Sequence, residues 1–320
     1  MRISTFCKNT PIITMVMFFL LVCFSNISAA AQDTATSATN TPAPAYQSAL
    51  SKTISGRITR IMDPLRIEID KKHIVQLANL DVPDFTVHDF GPVAQAVKTK
   101  LDTFTGQKVT LYQSRDKAQR KNRMGYDLAQ IIVQGTDKDS GETHDIWLQK
   151  ILLENGYARL YPTTDNLDVI DTLKIFEQYA ITNHHGLWLD ARYNPMQAST
   201  LNTAPVYGQW AIVDGTVKKT AAVKNRIYLN FGDNWRTDFT ISISSDTRRD
   251  LAKRNINPLD LGGKHVRVHG WLEDYNGASI TLTDAAWLDI TPPQRNDTTL
   301  PPQADQQYPA ETEDDTHTDD

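Results

Sequence analysis

Cysteine is nearly missing from this chain. The two cysteines, Cys7 and Cys23, both fall near its start. The rest of the sequence therefore excludes a disulfide framework, a thiolate metal site and a cysteine nucleophile. Long apolar runs are scarce too. The main one, Pro11 to Phe24, is short for a membrane span. Arg2 and Lys8 precede it and Ser28-Ala29-Ala30-Ala31 follow, so residues 1–31 read as a Sec-type signal peptide. Val22 before Cys23 makes a poor lipoprotein signal. The expectation is export to the periplasm or medium, with no membrane attachment after cleavage. A broad basic excess is also missing: 33 Lys and Arg stand against 38 Asp and Glu, for a net charge of −5. Any nucleic-acid role must then rest on local patches.

Two segments have too few apolar residues to offset the entropy of ordering. Residues 32–50, rich in Thr, Ala, Ser and Pro, read as a flexible tether. Residues 291–320, with Glu311, Glu313, Asp314, Asp315, Asp319 and Asp320, read as a disordered acidic tail. Between them lie residues 51–193 and 207–290, joined by a polar linker at 194–206. Each is of domain size.

Within 51–193, apolar alternation predicts strands at 54–61, 65–69 and 75–80. A helical period follows over 91–105, with Asp89 placed to cap it and Gly106 to end it. Strands return at 109–112 and 128–133. Three strands, a helix and two strands is the order of a five-stranded OB barrel. Two more helices are predicted, one capped by Asp145 and closed by Asn155-Gly156, the other over 167–184. Asp81 and Asp84 flank Val82-Pro83, where proline stiffens the backbone. A strand followed by a polar loop is the ordinary reading of such a stretch, but that support also suits a metal or phosphate site, and the order of elements around it favours the site. Arg115, Lys117, Arg120, Lys121 and Arg123 form a basic loop, which is either a solvated hairpin or a polymer contact.

Leu80-Asp81-Val82-Pro83-Asp84, Met124-Gly125-Tyr126-Asp127-Leu128-Ala129, Leu152-Leu153-Glu154-Asn155-Gly156-Tyr157-Ala158 and Gly186-Leu187-Trp188 occur in this order. In order and spacing they resemble the staphylococcal-nuclease (thermonuclease) family, over about residues 54–192. The resemblance implies a barrel that hydrolyses phosphodiesters with Ca²⁺, a Glu that activates water, and two arginines that hold the developing charge. Ca²⁺ wants six to eight oxygens, and a guanidinium fork suits phosphate oxygens. Carried onto this sequence, the first metal carboxylate is Asp63 and the second falls on Leu65, which has no oxygen to offer. Asp81 keeps the other metal position. Asp84 stands for the base, one methylene short. The arginine positions hold Gln76 and Tyr126. Removing one preorganised donor costs about 3–4 kcal/mol of transition-state stabilisation, and two such losses cost roughly four or more decades in rate. No catalytic residue is therefore assigned, and a metal at Asp63 and Asp81 and a need for Ca²⁺ are expected only if Arg66 or Arg123 rebuilds the site.

From Tyr207 the strand signals return at 210–217, 226–231 and 239–243. A short helix at 247–254, which Asp246 would cap, is followed by strands at 264–272 and 279–282 and a final run at 287–290. This is a second OB-like order, in a smaller domain of mixed α+β content. Tyr228, Trp235 and Arg236 are candidate binding residues, since OB barrels stack rings on bases, although barrel cores also consume rings. His265 and His269 have no third ligand nearby and make a poor metal site. The expected function is an exported thermonuclease-like protein with a degenerate centre. It would be a binding module for nucleic acid, another extended polymer or a protein partner. The alternative is a divalent-metal nuclease with rebuilt residues.

Overall fold

The computed structural model describes residues 44–86, 88–136, 141, 143–162, 167–201 and 207–290. The segment read as a signal, most of the tether and the acidic tail lie outside these residues. Helix α1 (Ala45–Ala49) opens the described chain, inside the segment expected to be a tether. Tyr46 is the reason. It is buried, packs edge-on against Tyr112 and Trp147, and has its hydroxyl directed at Asp145. Burial and then the Asp145 charge push that phenol up to about 12.

The first barrel is built around β1 (Ser51–Asp63), which is long enough to serve two neighbours. Its second half pairs antiparallel with β2 (Arg66–Ile69), which pairs with β3 (His73–Leu77). Asn79, buried and with φ 66°, reverses the chain into the short β4 (Leu80–Asp81). Helix α2 (Pro92–Asp102) follows. Gly91, not Asp89, holds its cap position, and Pro92 pre-sets the first turn. Strand β5 (Lys108–Gln113) pairs with the first half of β1, and β6 (Asp127–Thr136) with β5. The parallel pair Val75↔Asp127 to Leu77↔Ala129 then joins β3 to β6 and closes the barrel. Strand β7 (Thr143–Trp147) adds to the edge, so Asp145 is a strand residue and no cap. Helix α3 (Leu148–Glu154) starts after Trp147. Strand β8 (Arg159–Leu160) pairs with β4, and α4 (Ile170–Thr182) is shorter at both ends than its periodicity implied.

The expected linker is partly folded. Strand β9 (Met196–Gln197) pairs parallel with β10 (Gln209–Thr216), and Ala198 and Leu201 are buried. Strand β11 (Lys219–Val223) lies where no strand was expected, because none of its five residues is buried and their exposure does not alternate. It pairs with β12 (Arg226–Asn230), which pairs with β13 (Thr240–Ile243). Helix α5 (Ser245–Lys253) is capped by Ser244, whose Oγ accepts from the Thr247 amide at 3.1 Å, not by Asp246. Strand β14 (His265–Asp274) pairs with β10, β15 (Ala278–Leu282) with β14, and β16 (Leu288–Ile290) with β14. The parallel pair Thr240↔Ser279 to Ile243↔Leu282 joins β13 to β15. Taking β10 and β11 as one bent strand, this is the same closure as in the first barrel.

The barrels share one hydrophobic core, running from Ile67 and Leu77 through Leu160 to Trp210 and Trp287. Helix α4 clamps the second barrel from its polar face. Lys174 Nζ reaches the Ala286 carbonyl and Asp289 Oδ1, both at 2.6 Å, and Arg254 donates to Asp171 at 2.8 Å. Arg267 makes a two-pronged pair with Asp214, at 2.6 Å on each arm, and also reaches Gln178.

Candidate functional site

The sequence-nominated residues of the first barrel fall into two groups. The first gathers where β1 turns into β2. Asp63 is buried, and both its oxygens are engaged. Oδ1 accepts from the Leu65 amide at 2.9 Å and Oδ2 from Arg66 Nε at 2.5 Å. Arg66 pairs in register with Gln76 on β3, and its guanidinium lies 5.5 Å from the centre of the Tyr126 ring. Gln76 Oε1 accepts from Asn122 Nδ2 at 2.7 Å, and Asn122 Oδ1 accepts from the Met124 and Tyr126 amides. The residues at the two expected arginine positions are thus tied into one neutral-and-cationic network with Asp63.

The second group follows the Asn79 reversal. Asp81 and Arg159 are register partners in the β4–β8 ladder, and Arg159 Nε donates to Asp81 Oδ2 at 2.8 Å. Asp84, exposed and with φ 61°, accepts from the Tyr193 hydroxyl at 2.8 Å. Burial, reinforced by that hydrogen bond and the Asp84 charge, raises the Tyr193 phenol. Among the described residues no three His, Cys, Asp or Glu side chains converge as a metal site needs. Arg159, Asn122 and Tyr193 escaped the sequence reading. Two-residue strands leave no periodic signal, and neither the asparagine nor the tyrosine sits in a chemically distinctive pattern.

The basic loop is partly spent on its own fold. Arg115 donates to the Ser48 carbonyl, Arg120 Nε to Ser114 at 2.7 Å, and Lys121 Nζ to Asp127 Oδ1 at 2.9 Å. Lys117 and Arg123 are exposed, and their side chains have no partner among the described residues. Arg123 does not join Asp63 or Asp81.

Residues 68–190 match the family model of staphylococcal nuclease homologues. This segment is a thermonuclease-like domain. The match begins in β2, yet β1 completes the barrel before it. No curated protein is significantly similar to the chain. Among the described residues no helix is long and apolar enough to cross a membrane.

Against the thermonuclease-like domain the second barrel packs a ring cluster. Trp210 Nε1 donates to the Leu160 carbonyl at 2.8 Å, and Tyr161 meets Trp210 at 5.4 Å and Trp271 at 6.1 Å. This places the second barrel one residue from Arg159. Of its nominated residues, Tyr228 and Trp235 line a surface groove, while Arg236 stacks on Trp235 at 4.7 Å. Phe239 is core, and Phe231 packs on it at 5.0 Å. His269 is consumed by a buried pair with Glu177.

Proposed function

We propose that the thermonuclease-like domain no longer hydrolyses phosphodiesters and that the exported chain is a binding module for an extended polymer. The observation that carries this reading is the pairing of each candidate metal carboxylate with an arginine of its own chain: Asp63 with Arg66 and Asp81 with Arg159. A Ca²⁺ ion requires six to eight oxygens with carboxylate charge to spare. Here both Asp63 oxygens are already taken, Leu65 adds none, and the two charges are offset by fixed guanidinium groups. The residues do not fit the ion. Gln76 and Tyr126 carry no charge to set against a phosphorane.

The rival reading, a rebuilt nuclease, has one observation in its favour: two guanidinium groups do sit beside these carboxylates. Each gives its Nε–H to a carboxylate, however, so its charge is already set against an aspartate of its own chain and adds no net positive charge for a phosphate. The test is a fluorogenic DNA assay on the full chain with Ca²⁺, Mg²⁺ or Mn²⁺. Cleavage at the level of the blank is expected, unchanged by Asp81→Ala. Cleavage that Asp81→Ala abolishes, or micromolar Ca²⁺ binding by calorimetry, would overturn the proposal.

A further inference from the structure

A groove of about 1050 Å³ runs over the outer face of the second barrel. Strand alternation builds it. Ile227, Leu229, Ile241, Ile243, Ile280 and Leu282 point into the core. Their neighbours Arg226, Tyr228, Asn230, Ser242, Ser279 and Thr281 line the groove. Its rim carries the rings of Tyr207, Trp235 and Tyr275, of which Trp235 and Tyr275 are 53% and 69% exposed. Single exposed rings are ordinary, but three gathered on one groove mark a contact surface.

The polar lining is already ordered. Arg226 donates to Ser242 Oγ at 3.3 Å, and Ser242 Oγ to Thr281 Oγ1 at 3.2 Å, so one row crosses β12, β13 and β15. Beside it Thr240 Oγ1 donates to Asn230 Oδ1 at 3.3 Å. The Arg236 guanidinium lies over the Trp235 ring.

Charge decides which polymer fits. Against Arg226 stand Glu273 and Asp274, and among the described residues no lysine lines the groove, while Arg236 lies against Trp235 and outside the lining. A polyanionic strand would meet two carboxylates where it needs cations. Hydroxyls, amides and carboxylates instead match a ligand that presents many neutral hydroxyl groups, and flat rings match its apolar C–H faces. OB barrels take oligosaccharides as well as oligonucleotides on this face. Resting on the binding-module reading above, we infer that the groove between β12 and β15 binds a neutral oligosaccharide chain, with Trp235 and Tyr228 as stacking platforms and the Arg226–Ser242–Thr281 row reading hydroxyl groups.

The experiment is calorimetry of the full chain with three neutral hexasaccharides, chitohexaose, cellohexaose and maltohexaose, and with the oligonucleotide dT12. At least one hexasaccharide should bind, with an affinity that does not change between low and high salt. Trp235→Ala should weaken it about tenfold, as loss of a stacking ring does. Tyr275→Ala, in an exposed hairpin turn, provides a second variant that leaves the core untouched. Binding of dT12 that falls steeply with salt, without hexasaccharide binding, overturns the inference in favour of nucleic acid. No hexasaccharide binding, or binding indifferent to both ring variants, overturns it as well. These failures leave the inactive-centre reading standing, because DNA cleavage is measured separately; cleavage with intact saccharide binding would do the reverse.

Discussion

Glu177→Leu is expected to lower the stability of the folded chain by about 3–5 kcal/mol, because it leaves buried partners unpaired. The midpoint of thermal unfolding should fall by about 10 °C in a chain of this size. Glu177 on α4 is buried, and both its oxygens are used. Oε1 accepts from the Leu160 amide at 2.7 Å, and Oε2 meets His269 Nε2 at 2.8 Å. Among the described residues the other ring nitrogen of His269 has no hydrogen-bond partner, and the ring otherwise packs on Trp287 at 5.7 Å, so its hydrogen bonding depends on Glu177. Leucine removes the acceptor for both groups and leaves them dry. A double variant, Glu177→Leu with His269→Leu, should recover part of the loss, since a buried pair replaced whole by apolar groups is often nearly neutral. Circular dichroism during heating reads both effects. A loss below about 1 kcal/mol in the single variant would show that the pair is not stabilising the junction of the barrels.

The same carboxylate sets an acid limit. Burial alone would raise Glu177, but the facing His269 ring, its hydrogen bond, the Leu160 amide and Arg267 outweigh it and hold the carboxyl below its ordinary value of 4.5. A carboxyl depressed in the folded state stabilises fully above its unfolded value and less as pH falls through its folded one. The wild type should therefore lose stability below about pH 4.5. The gap between it and Glu177→Leu should narrow over that range. A gap that stays constant to lower pH would mean that Glu177 does not titrate with unfolding.

Gly186→Ala should cost at least about 3 kcal/mol, more than its backbone angle alone explains. Gly186 has φ 51°, where an L side chain is strained by about 1–2 kcal/mol. A β-carbon there would also lie 2.4 Å from the Gly156 carbonyl oxygen and 2.6 Å from that of Asn155. Backbone cannot move aside as a side-chain tip can. Gly156, at φ 65°, ends α3 and accepts from the Leu187 amide at 2.9 Å, so the two glycines let the ends of α3 and α4 touch. Gly106→Ala is the control: φ is 84°, but nothing lies within 4 Å of the added carbon. It should cost only about 1 kcal/mol. Equal losses in the two variants would remove the steric explanation. Because Gly156 leads directly into Tyr157-Ala158-Arg159, Gly186→Ala should also disturb the Asp81–Arg159 pair.

Much of the first barrel could be read from alternation at β2, β3 and β5, because each buries every second residue against one core, and from the apolar run of β6, whose first seven residues are all buried. What failed was short or edge structure. The strands β4 and β8 have two residues each, and β11 shows mixed exposure along its five. Asp145 precedes an apolar helix and so read as a cap, but Trp147 and Tyr46 hold it in a strand beside α1. At the centre, the sequence named Asp63, Asp81, Leu65, Gln76 and Tyr126, since each occupies a motif position. It could not name Arg159, which reaches Asp81 only through cross-strand pairing 78 residues away.

From residues alone followed the barrel order, the gaps in the nuclease motif and the lack of any thiol beyond the first segment, because motif chemistry and side-chain period are local properties. The neutralisation of both carboxylates, the fusion of two barrels into one core and the charge of the outer groove were decided only by tertiary structure. Each depends on which distant strands become neighbours, and cross-strand distance leaves no trace in linear spacing.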